Sequence, residues 1–312
     1  MTRAKEKLRP AGVAVCLVWA FCFVGAPASR AQVFTFSKQE LIDYTQGQPF
    51  GRFADGRPKI PDELLARARE LSAEDVWSTM QQHKGFEHQY ADGFQVLHSG
   101  KPMAGRAFTV QFMPLRGDVD EIAKTKAKSR GLAGLHNQTA IDMLQPGDVL
   151  VVDLFGKKEG GTIVGDNLFY YVNQATRGGG LVVDGSVRDL NGIAEIEMPA
   201  YVRAVDPTPI GDVMLTGINI PIRIGGVTVM PGDLVVGDRE GVYFVPPQLV
   251  EETLDRADEI HVHDEWTKKK FAEGKYKSSD IYGSPKDPKL QQEYKEYLKK
   301  RLEEIRKSRE HK

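Results

Sequence analysis

Two short polar clusters carry the residues most suited to chemistry: Gly165-Asp166-Asn167-Leu168 and Asp184-Gly185-Ser186-Val187-Arg188-Asp189. The first sits where a strand should give way to a helix. Amide N–H groups of a first helical turn have no intrahelical acceptor, so they bind an anion such as a carboxylate. The second follows an apolar run, just past the end of a predicted strand. In open α/β sheets ligands collect at that edge. Arg188 can grip a carboxylate through two parallel hydrogen bonds. Asp189 can hold a hard divalent cation, with water completing its shell. Taken alone, an Arg-Asp pair after a strand is equally well a surface ion pair or a helix cap. Gly178–Gly180 fit a turn. Asp153 and Asp238 end strands and are read as structural, as are the scattered His83, His88, His98 and His136.

The elements that must position these clusters are legible as patterns. Residues 148–155 (DVLVVDLF) and 181–184 (LVVD) are near-continuous apolar runs, as expected of strands covered on both faces. Residues 105–113 and 201–205 read as further strands, and 133–143, 167–176 and 190–196 as helices. Short strands follow at 218–224, 226–230, 234–238 and 242–245, separated by Gly, Pro and Asp. Pro146-Gly147-Asp148 and Pro231-Gly232-Asp233 each feed a buried strand, one turn solution used twice. A helical segment is expected over 61–80, with Ser72 as an N-cap. A long helix is expected over 248–271. Leu290, Tyr294, Leu298, Leu302 and Ile305 form an apolar stripe at helical spacing, which predicts packing on the body or on a neighbouring subunit.

Composition sets the outer bounds. The chain of 312 residues is 41% apolar and 27% charged, which is globular and long enough for a large core. A net charge of −1 gives no support to nucleic-acid binding through bulk positive charge. Residues 1–31 read as a secretory signal peptide: a basic start, an uncharged run over 11–26, and Ser29-Arg30-Ala31 before a cut at Gln32. The expected location is therefore outside the cytoplasm, the periplasm in a Gram-negative source, with no membrane span after cleavage. The two cysteines, Cys16 and Cys22, fall within that segment, which excludes a disulfide scaffold and a Cys-based zinc site in the remainder. Residues 32–60 read as a turn-rich N-terminal arm, 61–260 as the main domain, and 261–312 as a charged helical extension.

RGGGLVVDGSVRDLNGI, the GDVLVVD strand before it and IGGVTVMPGDLVVGDREGVYFVP after it resemble the RraA-like family. That family includes the regulator of ribonuclease E activity A and the class II 4-hydroxy-4-methyl-2-oxoglutarate aldolases. The resemblance spans about residues 71–260. It implies an α/β chain with a three-layer β/β/α swivelling-type fold, assembled as a homo-trimer or hexamer with sites at subunit interfaces. It implies a divalent ion, Mg2+ or a substitute such as Mn2+, on Asp189. By the same resemblance Arg188 contacts the pyruvyl part of a small 2-oxo acid and its developing enolate. Gly165, Asp166, Asn167 and Leu168 bind the pyruvyl carboxylate, Asp166 positions a water for proton transfer, and Asp264 or Glu265 of a neighbouring subunit orders the metal's waters. The expected activity is a lyase that cleaves a 2-oxo acid through a pyruvate enolate, by retro-aldol cleavage or oxaloacetate decarboxylation. The alternative is a non-catalytic binding or regulatory protein of the same fold. Retention of both Arg188 and Asp189 favours the enzyme, because regulator members commonly lack the metal-binding acid. A methyltransferase is the weaker reading, since no glycine-rich loop leads to an acidic strand end.

Overall fold

Strands β5 (Met103–Pro114), β6 (Asp148–Asp153), β7 (Leu181–Val187) and β8 (Ala200–Val205) run parallel and in that spatial order. The computed structural model describes residues 36–129, 131 and 136–310; the predicted signal peptide lies outside them. Five antiparallel partners extend the parallel core: β3 (Tyr90–Ala91), β4 (Gln95–Leu97), β9 (Val213–Ile218), β12 (Leu234–Gly237) and β13 (Val242–Val245). Among the described residues they form one curled nine-stranded sheet, ordered β3-β13-β12-β5-β6-β7-β8-β4, with β9 also on β5.

The runs at 148–153 and 181–187 are apolar throughout because both faces are covered. Leu150, Val152, Leu181 and Val183 face helices α5 (Asn137–Ile141), α6 (Asp166–Thr176) and α7 (Leu190–Ile193). Val149, Val151 and Val182 face a hairpin of β10 (Ile222–Ile224) and β11 (Val227–Val229). Helices, sheet and hairpin are the three layers. On α6, Phe169, Val172 and Thr176 lie on one face and are buried against the sheet; burying each of the two apolar side chains contributes about 1.5–3 kcal/mol. Arg177 ends this helix in the left-handed conformation, φ 56°.

The predicted helical segment over 61–80 is two helices, α2 (Asp62–Ala68) and α3 (Ala73–Met80), the second opened by a Ser72 capping box. They pack with α8 (Val250–Ala272) on β12 and β13. Helix α8 passes through residue 261, the expected edge of the extension, without a break. After the short α9 (Ser278–Ile281), helix α10 (Pro288–Glu310) returns along α8. The start of its stripe packs within the same chain's C-terminal segment: Leu290 is buried with Trp266 and Ile281, and Tyr294 packs on that cluster. A helix over Gly117–Ser129, α4, has no counterpart in the sequence reading. Its apolar face is only three alanine-sized or shielded positions wide, so the hydrophobic period is weak.

The segment read as a turn-rich arm contains a helix, α1 (Lys38–Tyr44), and a two-residue hairpin, β1 (Gly51–Arg52) with β2 (Pro58–Lys59). It is also part of the core. Leu41 and Ile60 are buried, and Arg57 is fully buried with a bidentate pair to Asp148, Nη1–Oδ1 2.7 Å and Nη2–Oδ2 3.2 Å. Phe53 and Phe108 sandwich the guanidinium at 4.5 and 5.2 Å. The pair joins residues 91 apart in sequence, which local pattern cannot foresee.

The two Pro-Gly-Asp turns are one geometry. Gly147 and Gly232 take φ of 81° and 89°. Each Asp amide donates to the carbonyl three residues back, and each Asp Oδ2 accepts that residue's N–H, Gln145 at 3.0 Å and Met230 at 2.8 Å. They differ in countercharge. Asp148 has Arg57, whereas burial pushes the Asp233 carboxyl up to about 7.

Removing the Arg57 guanidinium strands a buried carboxylate, so Arg57→Ala should cost about 3–5 kcal/mol, read as a lower denaturant midpoint. At Asp233 the folded pKa lies above its ordinary value of 3.8. Its contribution to stability is fully present below that value and is lost as pH rises through about 7. Asp233→Asn should flatten the stability profile across that window and be more stable than the parent above it; an unchanged profile in urea titrations would refute the assignment.

Candidate functional site

The site is built by a change of partner along β7. Its first half pairs with β6, Leu150↔Leu181 through Asp153↔Asp184. Beyond Asp184 the neighbour becomes the segment 161–164. Ser186 donates to the Gly161 carbonyl at 3.0 Å, Ile163 to Ser186 at 3.0 Å, and Arg188 to Val164 at 3.2 Å. This short ladder sets the start of α6 beside the end of β7. Residues 165–166 and 188–189 thus meet at the carboxyl edge of the parallel strands.

Local conformation then turns the side chains inward. Asp189 is left-handed, φ 59° and ψ 44°, and caps α7 with its carbonyl. Asp tolerates this region better than most residues. The reversal brings its Oδ2 to 3.3 Å from Arg188 Nε, with the two side chains 47% and 40% exposed. Gly165 is required by proximity: a Cβ there would stand 2.3 Å from Asp189 Oδ2 and 3.1 Å from Arg188 Nε. Gly192 on α7 has the same role opposite Asp166, where a Cβ would fall 2.5 Å from Oδ2.

Asp166, Arg188 and Asp189 line one open cleft of about 660 Å³. Gly165 and Asp166 are at its edge through the contacts just given. Of the first-turn amides, that of Asn167 donates to Asp166 Oδ1 at 2.8 Å and is thereby engaged within the chain. Asn167 itself is exposed and Leu168 half-buried. Asp184, from the same motif as Arg188, points to the other face of the sheet. It pairs with Arg203 at 2.8 Å, and Arg203 stacks on Phe94 at 3.9 Å. Within β7, alternation puts Asp184 on the hairpin face with Val182, whereas Arg188 lies beyond the strand's end at Val187, where the chain turns into α7.

Neither C-terminal acid lines this cleft in its own chain. Glu265 is engaged inside the extension by Lys269, Tyr297 and Arg301, which draw its carboxyl down to about 2. Asp264 is exposed, with Lys268 at 3.5 Å and His263 at 3.8 Å. The histidines have structural partners where the contacts are defined: His98 bonds the Ile193 carbonyl at 3.0 Å and His83 meets Glu252 at 2.9 Å.

Sequence reading missed Asn191, Asp206 and Pro207, which also line the cleft. Asp206 directly follows a predicted strand, the same signal that singled out Arg188. Asp206 is fixed by Thr208, whose N–H donates to Oδ1 at 3.0 Å and whose hydroxyl bonds the same oxygen. These bonds, with Lys158 nearby, hold its carboxyl below the usual range.

A curled mixed sheet with a polar cleft at the carboxyl edge of its parallel strands defines an α/β protein with its candidate ligand site where open α/β sheets place one. The chain belongs to the RraA-like family (Aldolase/RraA), whose profile matches residues 62–244. It is 36% identical over 121 residues to a provisionally named 4-hydroxy-4-methyl-2-oxoglutarate aldolase of Halalkalibacterium halodurans, covering 38% of this chain and 56% of that protein. A protein of Azotobacter vinelandii with the same provisional name is 33% identical over 111 residues, covering 35% and 66%. Each match thus spans only part of the relative. Among solved structures, Streptomyces coelicolor RraAS2, described as an unusual member of the RNase ES inhibitor RraA family, superposes with a TM-score of 0.59 at 28% identity. That match covers 68% of this chain and all of that one. Among the described residues no helix is long and apolar enough to cross a membrane.

Gly165→Ala should leave the fold intact, because the obstructing atom is the tip of the Asp189 side chain, while displacing that carboxylate from the cleft. An unchanged melting temperature, with the Asp189 carboxylate moved away from Arg188 in a crystal structure of the variant, is the expected result; an unmoved carboxylate would show that Gly165 does not set the cleft.

Proposed function

We propose that this chain is a divalent-metal-dependent lyase that releases pyruvate from a small 2-oxo acid. The observation that supports this most is the convergence of the α6 start, Arg188 and Asp189 on one cleft. The proposed setting is an exported, periplasmic homo-trimer or hexamer using Mg2+ or Mn2+.

The donor set suits a hard cation. Among the described residues no group of three His, Cys, Asp or Glu side chains forms a protein cage. Mg2+ commonly binds through one or two carboxylates and keeps several waters. Asp189 would supply that carboxylate, with the absent side chain of Gly165 leaving room beside it. When bound, such an ion acts as a Lewis acid toward the 2-oxo oxygen.

The chain's own groups do the rest. Amides at the start of α6 bind the pyruvyl carboxylate. The Arg188 guanidinium places fixed positive charge where the enolate oxygen develops, an arrangement worth most when it is set before reaction. Asp166 holds a water that takes the proton of the 4-hydroxyl. The C3–C4 bond then breaks, C4 becomes a carbonyl, and its electron pair forms the enolate, which is protonated at C3 to give pyruvate. No lysine Schiff base is needed.

Similarity to RraAS2 supports a second reading, a binding protein without turnover. The experiment that separates the two measures pyruvate release by the purified protein, with and without Mg2+, from 4-hydroxy-4-methyl-2-oxoglutarate and oxaloacetate. Metal-dependent release that falls about a hundredfold or more in Asp189→Ala, with assembly unchanged by light scattering, is the lyase outcome. Absence of release from any 4-hydroxy-2-oxo acid, together with no binding of pyruvate or oxalate, would leave the non-catalytic reading.

A further inference from the structure

Resting on the lyase reading, we propose that the cleft selects a 4-hydroxy-2-oxo acid with a single carboxylate and a hydroxylated, uncharged distal chain, read by Asp206 and Asn191. Strands β7 and β8 are parallel, with Val187 opposite Val205, and the Asp206 amide donates to the Val187 carbonyl at 3.1 Å. The next residue on each strand therefore stands beside its counterpart, about one strand spacing of 4.8 Å away. Those residues are Arg188 and Asp206. A substrate whose pyruvyl end lies at Arg188 has its remaining carbons within reach of Asp206.

Asp206 is a fixed acceptor. Thr208 orients its carboxylate from both backbone and hydroxyl, and Thr162 donates to its carbonyl at 3.2 Å. The following residue is Pro207, which restricts the backbone of Asp206 further. A carboxylate accepts only, so a neutral hydroxyl chain offers it what it lacks. Asn191, exposed and lining the same cleft, offers both a donor and an acceptor. A carboxylate and an amide around a partly apolar floor form a recognition set for neighbouring hydroxyls.

Charge points the same way. Among the described residues of this chain, the cleft is lined by three carboxylates, Asp166, Asp189 and Asp206, and one cation, Arg188. Lys158 lies close enough to act on Asp206 electrostatically but is not part of the lining. Arg188 and a divalent ion are matched by the pyruvyl carboxylate and the enolate. A second carboxylate on the substrate would face Asp206, and among the described residues this chain brings no further lining cation to it; like charges at such a contact oppose binding. Cleavage of the favoured substrate breaks C3–C4 as above and yields pyruvate and a hydroxyaldehyde, with no oxidant or reductant involved.

The test compares pyruvate release, with Mg2+, from three substrates: a six-carbon 2-oxo-3-deoxyaldonic acid supplied as both C4 epimers, 4-hydroxy-4-methyl-2-oxoglutarate and oxaloacetate. The wild type should show kcat/KM about tenfold or more in favour of the monocarboxylate. D206N keeps the acceptor that Thr208 uses but removes the charge. It should lower KM for both dicarboxylates about three- to tenfold and raise KM for the hydroxylated acid, reversing or closing the preference. A wild-type preference for the dicarboxylates, or an unchanged substrate ratio in D206N, would overturn this inference while leaving the lyase reading in place. No pyruvate from any of the three would overturn both.

Discussion

The site depends on a run of backbone hydrogen bonds only a few residues long. Segment 161–164 lies alongside the end of β7 and exchanges bonds with Ser186 and Arg188. Without that ladder, the start of α6 and the end of β7 would be separate loop ends on a curled sheet. With it, the amides of a helix N-terminus, a guanidinium and a carboxylate are set from two rigid elements. For the proposed reaction, groups held this way would not have to reorganise as charge develops, which is the condition under which electrostatic stabilisation is strongest.

Close approach imposes the second constraint. The Asp189 and Asp166 carboxylates occupy the volume that a side chain at 165 or 192 would need. Glycine at these two places lets backbone and carboxylate share one wall of the cleft. The left-handed turn at Asp189 completes the arrangement by folding its side chain back onto Arg188. Among the described residues three acids and one arginine line the cleft, a balance in keeping with the proposed divalent cation.

The opposite edge of the sheet is organised by charge of another kind. Arg57 and Asp148 are both fully buried, and they fasten the N-terminal hairpin to the first residue of β6. Such a pair contributes little over an apolar replacement, but breaking it is costly. The related turn at Asp233 has no countercharge, and burial alone raises its carboxyl. The C-terminal extension follows a third pattern, an apolar patch of Trp266, Ile281 and Leu290 rimmed by exposed ion pairs such as Glu265–Arg301.

Local pattern was enough to give the doubly covered strands, since DVLVVD and LVVD have no polar face to offer solvent. It also determined the place of Arg188 and Asp189 past a strand end and the helix that begins at Asp166, because these follow from local pattern and chain order. The repeated Pro-Gly-Asp turn was legible for the same reason. What it could not determine depends on partners distant in the chain. Asp184 belongs to the same motif as Arg188 yet stays within β7 on the hairpin side, where Arg203 meets it, while Arg188 lies past the strand's end. Asp206 joins the cleft only through the register of β7 on β8. Arg57 looks like part of a polar arm until the fold brings Asp148 against it from 91 residues away. Local propensity and periodicity fix which elements form; the pairing of strands and the burial of charge, both long-range, decide which side chains meet.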